Sequence, residues 1–252
     1  MPDLAPLYGR TLPLAGHDML RRLRDCHILV AGGGGVGSWA VECLARTGAG
    51  HITIVDNDTV APTNLNRQLP ALHSTIGEPK VDVLARRMLD INPDIDLRPL
   101  RDAITPDNID SYDLAQYDYV LDAIDTLRCK AALIDATLRT PATLYSSMGA
   151  ARKLHASAIA TARFDRVTGC PLARALRQYF KRRDGHLPRR AFTCVYSPEV
   201  IAHRTDPAET AGTDAWSDAR ASVNGTFCHT TAIFGMTLAG LVIEDLYCNT
   251  HQ

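Results

Sequence analysis

The sequence predicts a doubly wound α/β protein: a Rossmann-like, mostly parallel sheet with helices on both faces and a small antiparallel and helical C-terminal extension. Three observations point there. Short apolar runs of strand length alternate with segments whose apolar residues recur at helical spacing. The first run, Ile28-Leu29-Val30-Ala31, leads directly into Gly32-Gly33-Gly34-Gly35-Val36-Gly37-Ser38. Two later runs end in an aspartate, Asp56 and Asp122, where such sheets present their ligand-binding edge.

The elements follow in order. Cys26–Ala31 is a buried strand, and Ser38–Thr47 is a helix stopped by Gly48. Ile52–Val55 is the second strand. Lys80–Ile91 places Val81, Leu84, Met88 and Ile91 on one helical face and ends at Asn92-Pro93. Tyr119–Leu121 is a strand, Thr126–Leu138 a helix and Thr143–Ser147 a strand. Past residue 150 the pattern changes. His155–Ala162 alternates like an antiparallel strand, Pro171–Arg183 is a helix with proline in its first turn, and Phe192–Tyr196 is a strand. Residues 203–222 are polar and read as a mobile loop, and Thr230–Tyr247 is a closing apolar helix. The whole, 1–252, reads as one domain. It divides into an N-terminal arm (1–25), a nucleotide-binding core (26–150) and a substrate-facing extension (151–252).

Composition narrows the function classes. An apolar fraction of 46% supports a substantial core and excludes a disordered chain. A net charge of −1 gives no global attraction to nucleic acid or to a membrane, so any basic surface must be local. The seven cysteines are scattered and none forms a Cys-x-x-Cys pair, which points to a reduced protein without a disulfide framework or thiolate zinc site. Met1–Arg10 has no apolar signal region. Ala232–Leu246 contains Glu244 and Asp245 and is short for a bilayer. The expected location is the cytoplasm, with no membrane contact.

A strand that runs through glycines into a helix brings bare N–H groups and a partial positive charge to a phosphate. Gly32-x-Gly34-x-x-Gly37 fits the dinucleotide fingerprint, and Asp56 stands where a carboxylate accepts ribose hydroxyls. That pair alone equally describes an NAD-dependent oxidoreductase. The neighbouring residues favour a triphosphate: Asp58, then Asn64-Leu65-Asn66-Arg67-Gln68, then Lys80 at a helix start, then Asp122-Ala123-Ile124-Asp125 after a strand. Cations neutralise charge developing on a phosphate leaving group, and magnesium takes one or two carboxylates plus phosphate oxygens.

Together, Gly32–Ser38, Asp56-x-Asp58, Asn64-x-x-Arg67-Gln68, Lys80 and Asp122-x-x-Asp125 resemble the adenylation domain of ubiquitin-activating-type enzymes. The resemblance covers nearly the whole chain. Ser38-Trp39-Ala40-Val41-Glu42, Ala45–Gly48, Thr63–Gln68, Thr105–Asn108, Asp122–Asp125 and Phe234-Gly235-Met236 are most similar to the tRNA threonylcarbamoyladenosine dehydratases of that superfamily. The resemblance implies an ATP-dependent reaction in which a carboxylate of the modified nucleoside is adenylated, a nitrogen of the same side chain attacks, and AMP leaves as a ring closes. It implies ATP contacts from Gly32, Gly34, Gly35, Val36, Gly37, Asp56, Asp58, Asn64, Arg67, Lys80 and Arg10. Arg67, Lys80 and Asp125 carry the chemistry, and Asp125 with Asp122 holds Mg2+. It implies a homodimer in which Arg67 reaches the partner's site. A structural Na+ or K+ ion and a sulfur-relay accessory protein stay open.

The competing readings are adenylation of the C-terminal glycine of a ubiquitin-like sulfur carrier, an oxidoreductase, and a non-catalytic nucleotide sensor. The absent Cys-x-x-Cys pairs count against the first, and Arg67, Lys80 and Asp125 against the others. Residues 152–190 hold eleven Lys and Arg against Asp165 and Asp184, an unbalanced cluster that suits a tRNA backbone, with Lys181, Arg182 and Arg183 at its centre. Cys170, Cys194 and Cys228 align with no nucleophile, and the histidines show no metal-ligand spacing.

Overall fold

The computed structural model describes residues 5–202, 204 and 224–250. Its centre is a seven-stranded sheet in the order β3-β2-β1-β4-β5-β7-β6. The strands are β1 (His27–Ala31), β2 (His51–Val55), β3 (Asp96–Leu100), β4 (Tyr119–Asp122), β5 (Thr143–Ser147), β6 (Ala160–Arg163) and β7 (Thr193–Tyr196). All pairings are parallel except β6 with β7. The order reverses between β1 and β4, so the crevice beyond their carboxyl ends is the ligand site expected of an open α/β sheet.

The helices are α1 (Ala5–Tyr8), α2 (Leu12–Asp25), α3 (Gly37–Thr47), α4 (Lys80–Ile91), α5 (Leu127–Leu138), α6 (Pro171–Asp184) and α7 (Cys228–Thr250). Two apolar layers cover the sheet. One gathers Met19, Leu23, Leu44, Leu84, Met88, Phe234, Leu238 and Val242 from α2, α3, α4 and α7. The other gathers Ile134, Leu144, Phe164, Leu176 and Phe180 from α5, β5 and the α6 region. Side chains that alternate along β1 supply both: Ile28 and Val30 to the first, Leu29 and Ala31 to the second.

The central strands and helices lie where the sequence places them, within a residue or two. Three elements were not expected: the short α1, α2 and β3. The arm contains α2, whose Ala15, Met19, Leu20 and Leu23 are buried; Pro13 and a non-helical Gly16 hide its periodicity. β3 is a largely exposed edge strand, and an edge is where Pro99 is tolerated. The segment 155–162 is only partly a strand: Ala156–Ala158 is a 3-10 turn, and β6 follows it. Residues 203–222 lie outside the described residues, apart from Arg204. α7 is longer than the sequence suggests, and its length and hydropathy alone would allow it to span a bilayer. Its buried face nevertheless packs into the core, and Asp245 accepts a 2.6 Å hydrogen bond from Tyr119 Oη. Gly235 lets α7 approach the start of α3, since a methyl there would lie 2.2 Å from the Val36 carbonyl oxygen.

Candidate active site

The crevice is built on the turn between β1 and α3. A methyl on Gly37 would stand 1.7 Å from the Gly32 carbonyl oxygen, so the tight return of the chain excludes any side chain there. Asp56, at the carboxyl end of β2, holds the turn: Oδ2 accepts from Gly33 N at 2.7 Å and Oδ1 from Asp58 N at 2.8 Å. A carboxylate has about four lone-pair sites, so acceptor capacity remains for ribose hydroxyls.

The segment after β2 folds over this turn. Ser38 Oγ donates to Gly34 O at 2.6 Å and accepts from Leu69 N at 3.3 Å, and Trp39 Nε1 donates to Arg67 O at 3.2 Å. Buried Asn64 accepts from Ala61 N at 3.1 Å and shapes the 3-10 turn Pro62–Asn64. Arg67 therefore lies against its own chain's glycine turn: a methyl on Gly35 would meet its Cγ at 3.5 Å. Its Nη1 donates to Thr63 O and Asn66 Oδ1, both at 2.9 Å. Burial pulls its pKa below the ordinary guanidinium value, and the Asp125 charge acts the other way. Arg67 thus lies on the glycine turn of its own chain, where the Asp125 charge acts on it.

Lys80 opens α4 and is buried, with Nζ 2.7 Å from Asp58 Oδ2. Asp125 is exposed and makes no hydrogen bond or ion pair among the described residues. Arg10 is exposed beside α1, and Tyr8 packs on Gly48 at the carboxyl end of α3.

Asp122 does not belong with Asp125. It is fully buried, Oδ2 is 2.8 Å from Lys130 Nζ and accepts from Ser146 Oγ at 2.6 Å, and Oδ1 accepts from Ile124 N at 3.1 Å. Contrary to the sequence expectation, Asp122 is therefore spent inside the protein and is not placed to hold magnesium. Asp125 alone fits the ion, a hard oxygen donor at the phosphate crevice; no group of three His, Cys, Asp or Glu suited to a metal occurs among the described residues.

The basic cluster is thinner than its sequence suggests. Lys153 is buried and donates to the Ser197 and Glu199 carbonyls, and burial lowers its pKa. Arg177 and Arg190 donate to backbone carbonyls. Arg183 is held by Asp135 and Asp184 and lies over the Tyr179 ring. Lys181 and Arg182 are exposed and unpaired among the described residues. Of the cysteines, Cys170 and Cys194 are buried, and desolvation raises the Cys194 pKa; Cys228 is exposed. Gln68, which the motif carries without a role, and Thr231, which sequence reasoning missed, line the glycine turn at Gly34 and Gly35, and Gln68 Oε1 is buried without a partner among the described residues. Nothing in local periodicity marks Thr231.

Comparison with known proteins agrees with this geometry. The ThiF family model matches residues 8–246. The chain is 40% identical over 200 residues to the tRNA threonylcarbamoyladenosine dehydratase of Escherichia coli (strain K12), across 78% of this chain and 75% of that one. It is 35% identical over 241 residues to the enzyme of the same name from Bacillus subtilis (strain 168), across 95% and 94%. The crystal structure of the E. coli tRNA N6-threonylcarbamoyladenosine dehydratase in complex with ATP superposes with a TM-score of 0.86 at 34% identity, covering 97% of this chain and 95% of that chain.

Proposed function

We propose that this chain, which belongs to the ThiF family and is similar to proteins named tRNA threonylcarbamoyladenosine dehydratase, is an ATP-dependent enzyme that adenylates threonylcarbamoyladenosine in the tRNA anticodon loop and closes it to a ring. One observation carries the mechanism: Arg67 lies on a glycine turn that Asp56 braces, and Asp125, a few residues beyond β4, is exposed without a partner among the described residues. A cation and a free carboxylate at a phosphate cradle suit nucleotidyl transfer and have no evident use in hydride transfer.

The N–H groups of Gly34, Gly35, Val36 and Gly37 and the start of α3 receive the phosphates, while Gly32, whose own N–H is donated to Val55 O at 2.8 Å, shapes the turn beneath them. Asp56 takes the ribose. Arg67 and Lys80 contact the triphosphate, with Asn64 beside them, and Asp58 holds Lys80 extended towards it. Asp125 would hold Mg2+, which when bound neutralises charge on the pyrophosphate leaving group. A substrate carboxylate oxygen attacks the α-phosphorus and pyrophosphate leaves. The side-chain nitrogen then bonds to the acyl carbon, loses its proton, and AMP departs. Both ends of that second step lie on one side chain, so the effective concentration is high.

The enzyme is proposed to be cytoplasmic and a homodimer. Arg10, exposed beside α1, is proposed as a further phosphate contact. The decisive assay is ATP–pyrophosphate exchange with threonylcarbamoyladenosine-bearing tRNA, with a ubiquitin-like sulfur carrier, and with neither. Exchange with the tRNA alone is expected; exchange with the carrier alone overturns the reading.

Lys181 and Arg182 are proposed to contact the tRNA backbone. Lys181→Glu with Arg182→Glu should weaken tRNA binding about tenfold or more at moderate salt and flatten its salt dependence by about one unit per lost phosphate contact. ATP affinity should not move. Arg183 is excluded because its guanidinium is already bound. Unchanged tRNA affinity would remove this face from the interface.

A further inference from the structure

The Asp122–Lys130 pair is buried at the carboxyl ends of β4 and β5, directly beneath the segment that carries Asp125. Both side chains are fully buried. Lys130 Nζ lies 2.8 Å from Asp122 Oδ2 and also donates to the Ile124 carbonyl at 2.8 Å. Asp122 Oδ1 accepts from Ile124 N at 3.1 Å, and Ser146 Oγ donates to Oδ2 at 2.6 Å. One ion pair thus grips Ile124 through both its N–H and its C=O. Asp125 is the next residue.

The preceding residue is fixed as well. Ala123 N donates to Ala31 O at 2.9 Å, and the Ala123 carbonyl oxygen packs 2.9 Å from where a Gly32 methyl would stand. The segment that presents Asp125 is therefore tied to the glycine turn on one side and to a buried charge pair on the other. Stability is a weak reason for such a pair, because well-packed apolar residues often replace one at no loss. Its distinctive product here is a single backbone geometry at an exposed acid.

We propose that Lys130, with Asp122 and Ser146, is a positioning network that sets the Asp125 carboxylate against the nucleotide phosphates. The claim rests on the reaction proposed above. It gives Asp122 a role different from metal ligation.

The test uses the full-length Asp122→Asn/Lys130→Met double variant, which removes both charges together and so avoids an isolated buried ion. It should fold and bind ATP within about threefold of wild type, with KM for ATP similarly unchanged. The kcat of tRNA-dependent pyrophosphate exchange should fall about tenfold to a hundredfold, the range expected for a displaced catalytic group. The Ile124 amide should exchange hydrogen at least tenfold faster, because the segment loses the Lys130 grip on the Ile124 carbonyl. Wild-type kcat in the folded double variant, unchanged amide exchange, or a loss of ATP affinity as large as the loss of kcat would each overturn the positioning role. A wild-type enzyme without tRNA-dependent exchange would defeat the proposed reaction instead, and amide exchange would still decide the network.

Discussion

Lys80→Ala and Asp125→Ala are each expected to cut tRNA-dependent AMP formation by about a hundredfold to a thousandfold, or about 3–4 kcal/mol of transition-state stabilisation, in proteins that remain folded. The local structure says why Lys80 should matter so much. The chain leaving β2 pairs with the approach to α4: Thr59 bridges Pro79, Val60 N donates to Glu78 O at 2.8 Å, and Lys80 N donates to Asp58 O at 3.0 Å. The lysine stem is buried while its only ionic partner, Asp58, has a side chain 61% exposed. An ion pair so open to water adds little to stability. A buried stem that delivers a poorly screened ammonium to a phosphate crevice adds much to binding developing charge. Asp125 has no protein partner among the described residues, so its removal should leave the thermal midpoint within a few degrees. A folded Lys80→Ala or Asp125→Ala variant with near-normal AMP formation would remove that residue from the mechanism.

How much of this was legible in the sequence follows from range. The glycine turn, β1, α3 and the position of Asp56 depend on neighbours a few residues away, and they stand where the pattern puts them. β3 was not legible because an exposed edge strand needs no apolar run, and α2 because Pro13 and Gly16 interrupt its period. The site was harder. Asp122 and Asp125 look alike as two acids after a strand. What separates them is that Asp122 still belongs to β4 and points inward, where Lys130 and Ser146 wait on two other elements. Arg67 could be counted as a phosphate ligand from its motif, but no motif states whose phosphate. The fold over Ser38 and Trp39 lays Arg67 on the glycine turn of its own chain. Among the eleven basic residues of 152–190, charge counting could not foresee that Lys153, Arg177 and Arg190 are occupied by backbone carbonyls.

Lys130→Met alone should be among the most destabilising single substitutions in the protein. It leaves Asp122 charged, fully buried and facing a methyl group, with Ser146 Oγ and Ile124 N as its remaining donors. It also strands the Ile124 carbonyl. Removing one member of a buried pair costs about 3–5 kcal/mol, because the other charge stays in a medium that solvates it poorly. For a domain of this size, that corresponds to a fall of roughly 6–20 °C in thermal midpoint. Adding Asp122→Asn should return most of the loss, since the amide keeps an acceptor for Ile124 N and carries no charge to desolvate. The comparison separates two roles that the single variant confounds. If stability returns in the double variant but turnover does not, the pair exists to hold Asp125. If Lys130→Met melts within two degrees of wild type, Asp122 is not the isolated buried anion that the geometry requires, and the network fails as a structural unit.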